Sequence, residues 1–366
     1  MRRSIYGSTA LLTATVLAGS PAIAGDGIHQ SRLGGEFRNF MVSTAEDRPR
    51  DAFAPLGLNE DTHFSGKVAL TEWLSVGLDG RLASDGADVK VQDTYVFLEG
   101  GWGQIRLGND ARPIDAFTVG APSVLPGRSG HVNQVAVADQ TETPIEVSVT
   151  TTALTGDREK IVYYSPEVAG FQIGLSFTPE DCDKKQGACA KSVEELDLAT
   201  PEDDRSDAVE MAVSYGGELS DVGFSVFAGY ARSHLRLDRD DDPALAKDQW
   251  DVGGAVSYRG FSVGAGYGQD HQGVDRVLGR EDWNVGVAYE TGPWGVSLGY
   301  ARALLADSEG VEEDQLEQAE LAFVYDLGAG FMLGGALQWW DYSDLSEEDI
   351  DETSAFGVVL GSKFRF

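Results

Sequence analysis

The sequence predicts an all-β protein: a transmembrane antiparallel β-barrel of about 16 strands, with short periplasmic turns and long extracellular loops. Along residues 261–267 every second residue is apolar, with Phe261 and Tyr267 at the two ends, and the other face carries glycine or serine. The same alternation recurs along 283–289 and 294–300. Because successive side chains of a strand point to opposite faces, each segment has one apolar face bounded by aromatic residues. Strands whose outer face contacts lipid show this pattern.

Each strand is predicted from this alternation, and each is bounded by residues that favour turns or by acidic segments. In chain order the predicted strands are 36–41, 64–71, 73–82, 89–99, 102–109, 160–165, 171–177, 208–215, 222–232, 249–258, 261–269, 282–289, 294–304, 316–325, 330–342 and 354–366. The connections alternate between short and long, which is typical of outer-membrane barrels, and an even number of strands places both ends of the chain on the short-turn side.

Aromatic residues flank the short turns repeatedly, as expected for rings at a membrane interface. The pairs are Tyr215 and Phe224, Tyr258 and Phe261, Tyr289 and Trp294, and Tyr325 and Phe331. The alternative is a water-soluble antiparallel sandwich, but that fold has no need of paired aromatic residues at one set of turns only.

The first 24 residues are predicted to be a secretory signal peptide, which leaves residues 25–366 as a single barrel domain. Arg2 and Arg3 precede a short apolar segment, and residues 22–24 follow the small-x-small cleavage rule. The apolar segment is shorter than the ~20 residues that a spanning helix needs. The chain carries 28 basic and 60 acidic residues, a formal net charge of -32, which argues against nucleic acid as a partner.

Three segments resemble the Gram-negative general-diffusion porins: 91–98 followed by 103–108, 160–166 followed by 170–172, and the terminal strand ending in Phe366. This resemblance implies a homotrimer in the outer membrane, in which each barrel forms a pore for small hydrophilic solutes and ions. It also implies that the third long loop folds inward to narrow the pore. Phe366 is then the terminal signal for the barrel assembly machinery.

Charged side chains predicted to line the lumen are the candidate functional residues, because pore width and lining charge determine selectivity. Alternation places four bases on the inner face of neighbouring strands as a basic wall: Arg38, Lys67, Arg81 and Arg106. The connection 110–159 is long enough to be the constricting loop, and its candidate acids are Asp110, Asp115, Asp139 and Glu142. In the resembled family, such bases face acids on the inward loop. The alternative is that these residues are solvated and have no special role.

The other long loops are strongly acidic, which predicts a preference for cations that the basic wall would oppose. The same acids would also suit divalent bridging to lipopolysaccharide. Asp238, Asp240 and Asp242 resemble the start of a calcium loop, but Pro243 and Gln249 replace its glycine and its glutamate, so an EF-hand is rejected. Loose surface calcium remains an alternative, and no other cofactor is expected.

Cys182 and Cys189 are the two cysteines of the chain, and they lie close together in an acidic segment. In an oxidising compartment they are predicted to form a disulfide, with two free thiols as the alternative.

The function indicated is passive diffusion through a water-filled, cation-preferring channel, with no enzymatic activity. One alternative is a substrate-selective channel for sugars or anions with the same architecture. An outer-membrane enzyme would need a Ser–His pair, which the sequence does not indicate. A structural or adhesive barrel with a filled interior is disfavoured by small inward residues such as Gly264, Gly266 and Gly268.

Overall fold

The computed structural model describes ten segments of the chain. They are residues 31–46, 57–84, 89–110, 112–126, 159–180, 205–235, 246–272, 277–306, 313–344 and 351–365.

The described residues form sixteen β-strands and one short helix, and the strands close into a single antiparallel barrel. The strands are β1 (Ser31–Glu46), β2 (Gly57–Ala69), β3 (Leu74–Ser84), β4 (Val89–Gly100), β5 (Gly103–Asn109), β6 (Glu159–Tyr164), β7 (Phe171–Glu180), β8 (Arg205–Leu219), β9 (Val222–Leu235), β10 (Ala246–Tyr258), β11 (Phe261–Gln272), β12 (Val277–Thr291), β13 (Trp294–Ala306), β14 (Glu313–Gly328), β15 (Phe331–Asp344) and β16 (Asp351–Arg365). The helix is α1 (Pro113–Phe117), between β5 and β6.

Each strand pairs with its neighbours in the sequence, and β1 pairs with β16 to close the sheet. Phe37, for example, lies opposite Phe364 in this register. The predicted fold class, a barrel of about 16 antiparallel strands, is therefore confirmed. No helix in the described segments combines the length and the hydrophobicity that a membrane-spanning helix requires.

Most strands extend beyond the predicted limits, mainly at the ends that lead into the long connections. The largest difference is at β1, which the alternation predicts only for 36–41 but which runs from Ser31 to Glu46. Its ladders with β2 and β16 continue past the apolar stripe. Backbone pairing does not require apolar side chains, so regular alternation ends before these strands do.

The turn between β10 and β11 illustrates how the short connections form. Tyr258 pairs with Phe261, which leaves Arg259 and Gly260 as a two-residue turn. Both turn residues have positive φ, at 48° and 86°. Two positive φ values are the requirement of a type I′ hairpin, whose twist matches that of the flanking strands.

The outer face of the barrel is apolar and is bounded by aromatic contacts at two levels. At the short-turn level, ring centroids lie 4.3 Å apart between Phe261 and Tyr289 and 4.2 Å apart between Phe171 and Tyr215. At the other level, Trp283 lies 5.2 Å from Tyr300. Between the levels the strands expose Leu298, Val287 and other large apolar side chains. This is the surface expected of a barrel embedded in lipid.

Candidate functional site

A segment of the chain that we call the belt, residues 112–126, lies inside the barrel against the inner wall. Ile114 and Phe117 of α1 pack against inward residues of β6, β8 and β9. Farther along, Ala121, Val124 and Leu125 pack against inward residues of β12 to β16. The prediction that the third long connection folds inward is thus confirmed, and the belt is the part of that connection that the structure describes.

Local sequence features begin and end the helix of the belt. Pro113 occupies its first turn, where a missing N–H costs nothing. The Ala116 amide donates to the Arg112 carbonyl at 3.1 Å. At the other end the Thr118 hydroxyl donates to the Ile114 carbonyl at 2.7 Å. The chain then continues in non-helical form to Pro126, with its backbone directed along the wall.

The first end of the belt is held by the buried guanidinium of Arg112, which is 1 % exposed. It donates two hydrogen bonds to Asp115, at 2.9 and 2.7 Å, and one to Gln249 of β10 at 3.3 Å. Its Nη1 also lies 3.9 Å from Oε1 of Glu210, a fully buried carboxylate on β8. Burial disfavours the charge of Arg112, but the neighbouring carboxylates of Asp115 and Glu210 outweigh it and raise its pKa above the ordinary value. The buried cation of Arg112 therefore links the belt to β8 and β10.

The second end of the belt is held by neutral side chains that accept hydrogen bonds from its backbone. The Ala121 amide donates to Oδ1 of Asn284 at 2.6 Å, and the Val124 amide donates to the hydroxyl of Ser297 at 3.0 Å. These bonds satisfy backbone donors that the barrel shields from water.

A shared carboxylate adds a further tie at the same end. Glu320 of β14 accepts hydrogen bonds from the Ser123 hydroxyl and from the Gln338 amide, both at 2.6 Å. Alternation places Asn284, Ser297 and Glu320 on inner faces, but no sequence pattern marks them as contacts of the belt.

On the wall formed by β2 to β5, bases predicted to line the lumen lie beside acids of the same wall. Nζ of Lys67 is 2.7 Å from Oε1 of Glu99, and Arg106 Nη1 is 3.3 Å from Oδ2 of Asp110. Arg106 also lies between two rings, 4.8 Å from the centroid of Tyr95 and 4.5 Å from that of Tyr164. The charges of Lys67 and Arg106 are thus compensated locally, and Arg106 is held in one orientation.

The remaining predicted site residues are placed as follows. Arg81 follows a register shift between β3 and β4, and Asp115 lies on α1 beside Arg112. Arg38 lies on β1 opposite Asp61 and Lys363, but its side chain is outside the described part. Seven predicted residues and the terminal signal lie outside the described residues: Asp139, Glu142, Cys182, Cys189, Asp238, Asp240, Asp242 and Phe366. The predicted signal peptide, residues 1–24, lies outside them as well.

Among the described residues, no group of three or more His, Cys, Asp and Glu side chains is arranged to hold a metal ion. Buried carboxylates instead accept hydrogen bonds from donor groups of the chain itself. Arg280, for example, donates to Asp282 at 2.8 Å, and Gln249 donates to Asp251 at 2.8 Å.

Comparison with known proteins gives a family and a set of structural relatives. A family model described as Gram-negative porin matches residues 9–345. No curated protein matches the sequence. An anion-selective porin from Comamonas acidovorans superposes with a TM-score of 0.64 at 16% identity, covering 92% of this chain and 100% of its own. OmpF of Salmonella typhi, solved with daunomycin, gives 0.62 at 13% identity and covers 93% and 98%.

A trimer form of OmpT, an outer membrane protein of Vibrio cholerae, gives a TM-score of 0.59 at 11% identity and covers 93% and 100%. At such low identities these structures show that the fold is shared.

Proposed function

The chain belongs to the Gram-negative porin family, and on that premise we propose that it forms a water-filled, weakly cation-preferring channel. Membership of the family places it in the outer membrane as a channel for passive diffusion. The observation that carries the proposal of a water-filled opening is the position of the belt. Its described contacts lie on β6 to β16, so the opening falls between the belt and the wall of β1 to β5.

The size of the barrel supports an open lumen. Barrels of 16 to 18 strands are wide enough to leave an aqueous channel after side chains have filled part of the interior. The belt occupies one side of that space. Solutes would then pass along the opposite wall, where Lys67, Arg81 and Arg106 lie.

A weak preference for cations follows from the distribution of charge. The net charge of -32 gives the protein a negative field that attracts cations. On the wall itself Lys67 and Arg106 are each paired with a carboxylate, so they add little positive potential to oppose that field. The fold does not decide the sign, because an anion-selective porin shares it.

We assign no catalytic residue, since passive diffusion involves no bond-making step. We also propose a homotrimer, which is supported by the trimer form of a protein with this fold. The signal peptide, the Cys182–Cys189 disulfide, lipopolysaccharide contacts, loose calcium binding and recognition of Phe366 by the assembly machinery remain predictions. Limited cross-linking of the folded protein in detergent tests the trimer.

The channel is tested by adding purified folded protein to a planar lipid bilayer under a KCl gradient. Stepwise increases in conductance are expected, with a reversal potential of the sign that cation preference requires. Folded protein that gives no steps would refute the channel. A reversal potential of the opposite sign would refute the cation preference alone.

The substrate-selective alternative is tested in the same bilayers. If diffusion is general, adding a single sugar or small anion should not reduce the current in a way that saturates with its concentration. A conductance block that saturates with one solute would instead establish the selective channel.

A further inference from the structure

We infer that a glycine track on the inner wall fixes how closely the belt lies against the barrel and so sets the width of the pore. This inference rests on the channel function proposed above. The track is the set of inward strand glycines where an added Cβ would meet the belt: Gly174, Gly229, Gly253, Gly264, Gly286, Gly295, Gly334 and Gly361. They lie on β7, β9, β10, β11, β12, β13, β15 and β16, so the track runs across the strands rather than along them.

The belt backbone lies directly on the middle of this track. A Cβ at Gly253 would overlap the carbonyl oxygen of Val119, and a Cβ at Gly264 would overlap that of Gly120. Backbone atoms cannot rotate aside as the end of a side chain can. The belt occupies this position only because these strand residues carry no side chain.

Conformation does not explain the choice of glycine at these positions. The described glycines with positive φ are Gly103, Gly108, Gly170, Gly260, Gly292, Gly328 and Gly330, and none belongs to the track. Glycine inside a strand weakens it, and such a residue often marks the close approach of another backbone. The track is a case of close approach.

The track glycines do not simply widen an open lumen, as the sequence suggests for Gly264. Gly229, Gly264, Gly286 and Gly361 are buried. The belt covers them, so their small size makes room for protein rather than for water. This corrects the sequence-based interpretation of Gly264 as part of an open inner surface.

An added methyl group would displace the belt rather than the wall. Each strand is held by ladder hydrogen bonds on both sides. The later part of the belt, by contrast, is held by a few hydrogen bonds that its backbone donates to side chains such as Asn284 and Ser297. Restoring ordinary van der Waals separation needs a shift on the order of 1 Å, and the belt can move only toward the lumen.

The first test is single-channel conductance of Gly264→Ala and Gly229→Ala, with Gly66→Ala as the matched control. A Cβ at Gly66, on β2, meets nothing within 4 Å. If the opening is on the order of 10 Å wide, a 1 Å shift lowers conductance by on the order of a tenth. The exclusion limit for neutral polymers should fall with it, while Gly66→Ala keeps both wild-type values.

A rescue experiment distinguishes displacement of the belt from general damage to the strand. The methyl group of Gly229→Ala would lie 2.7 Å from Cγ1 of Ile114, a side chain of the belt. Adding Ile114→Ala removes that contact, so the double variant should recover wild-type conductance. Damage to β9 itself would persist in the double variant.

A second pair of substitutions, with a smaller steric conflict, tests the inference if Gly264→Ala does not fold. A methyl group at Gly286 would lie 3.0 Å from Cβ of Ala121 and 3.1 Å from the Leu298 carbonyl oxygen of the wall, and Ala121→Gly relieves the contact with the belt. Folded track variants that conduct as the wild type does, or a loss that the belt substitution does not restore, would overturn the inference. Wild-type protein without channel steps would instead refute the proposed function.

Discussion

Replacing Arg112 by Met should destabilise the barrel and release the first end of the belt. The substitution keeps a long side chain but removes the guanidinium that donates to Asp115 and Gln249. Its most costly effect is on Glu210, a carboxylate with no exposed surface that would lose one of its neighbouring cations and keep Lys160. The carboxylates of Asp115 and Glu210 raise the pKa of Arg112 above its ordinary value, so its guanidinium is charged at neutral pH.

The size of the effect follows from which partners remain buried. Breaking a buried ion pair by removing one member costs about 3–5 kcal/mol, because the other charge is left uncompensated. Glu210 keeps the hydrogen bond from the Ser176 hydroxyl at 2.8 Å, and the Asp115 side chain is 36% exposed and can be hydrated. We therefore expect a loss near the lower limit, about 3 kcal/mol.

The measurement is the free energy of unfolding from urea titrations in lipid vesicles, combined with current noise in single-channel recordings. Arg259→Met is the matched control, since Arg259 contacts Asp221 at 3.4 Å with both side chains exposed. It should cost less than about 1 kcal/mol. Noise should rise only in Arg112→Met, because only that variant frees the belt.

Equal stabilities for the two variants would refute the role given to the buried contacts of Arg112.

A second comparison tests whether the loss of stability is electrostatic in origin. Adding Glu210→Met to Arg112→Met removes both charges, and replacing both partners of a buried polar contact is often nearly neutral. The double variant should therefore recover most of the lost stability while the current stays noisy.

Three further predictions concern the wall, the lipid face and the second end of the belt. Glu99→Gln should move the reversal potential toward anion preference, because Lys67 then lacks its compensating carboxylate; an unchanged potential contradicts this. Leu298→Arg should reduce stability by about 2–4 kcal/mol in vesicle titrations, whereas Leu327→Arg near a periplasmic turn should be tolerated; equal losses would argue against the assigned lipid face. Asn284→Ala should cost about 1–3 kcal/mol in the same titrations, because the buried Ala121 amide loses its acceptor, and a neutral result would exclude that bond as an anchor.

The strands were predictable because contact with lipid imposes an alternation that each segment shows independently. The segment from Trp294 to Tyr300 indicates its outer face without reference to any other part of the chain. The ends of strands were not predictable in this way. The outer parts of β1 are set by pairing with β2 and β16, and pairing leaves no mark on side-chain hydrophobicity.

The anchors of the belt illustrate a second limit. Ala121 and Asn284 are 163 residues apart, and Ser123 and Glu320 are 197 residues apart. Alternation assigns Asn284 and Glu320 to the inner face but gives no indication of what lies against them. The contact depends on the path of the belt, which the long connection alone does not determine. The same holds for Gly264, whose small size predicted open space but accommodates another backbone.

The seam between β1 and β16 has a consequence for biogenesis. The two strands of this seam, β1 and β16, are the first and last strands of the barrel. They can pair only when nearly all the intervening hairpins have formed. Until then both edges carry unpaired amides and carbonyls that hydrocarbon cannot solvate. Membrane insertion and closure of the barrel should therefore occur together. A chain that lacks its final hairpin should be degraded by proteases and should not form a stable open pore.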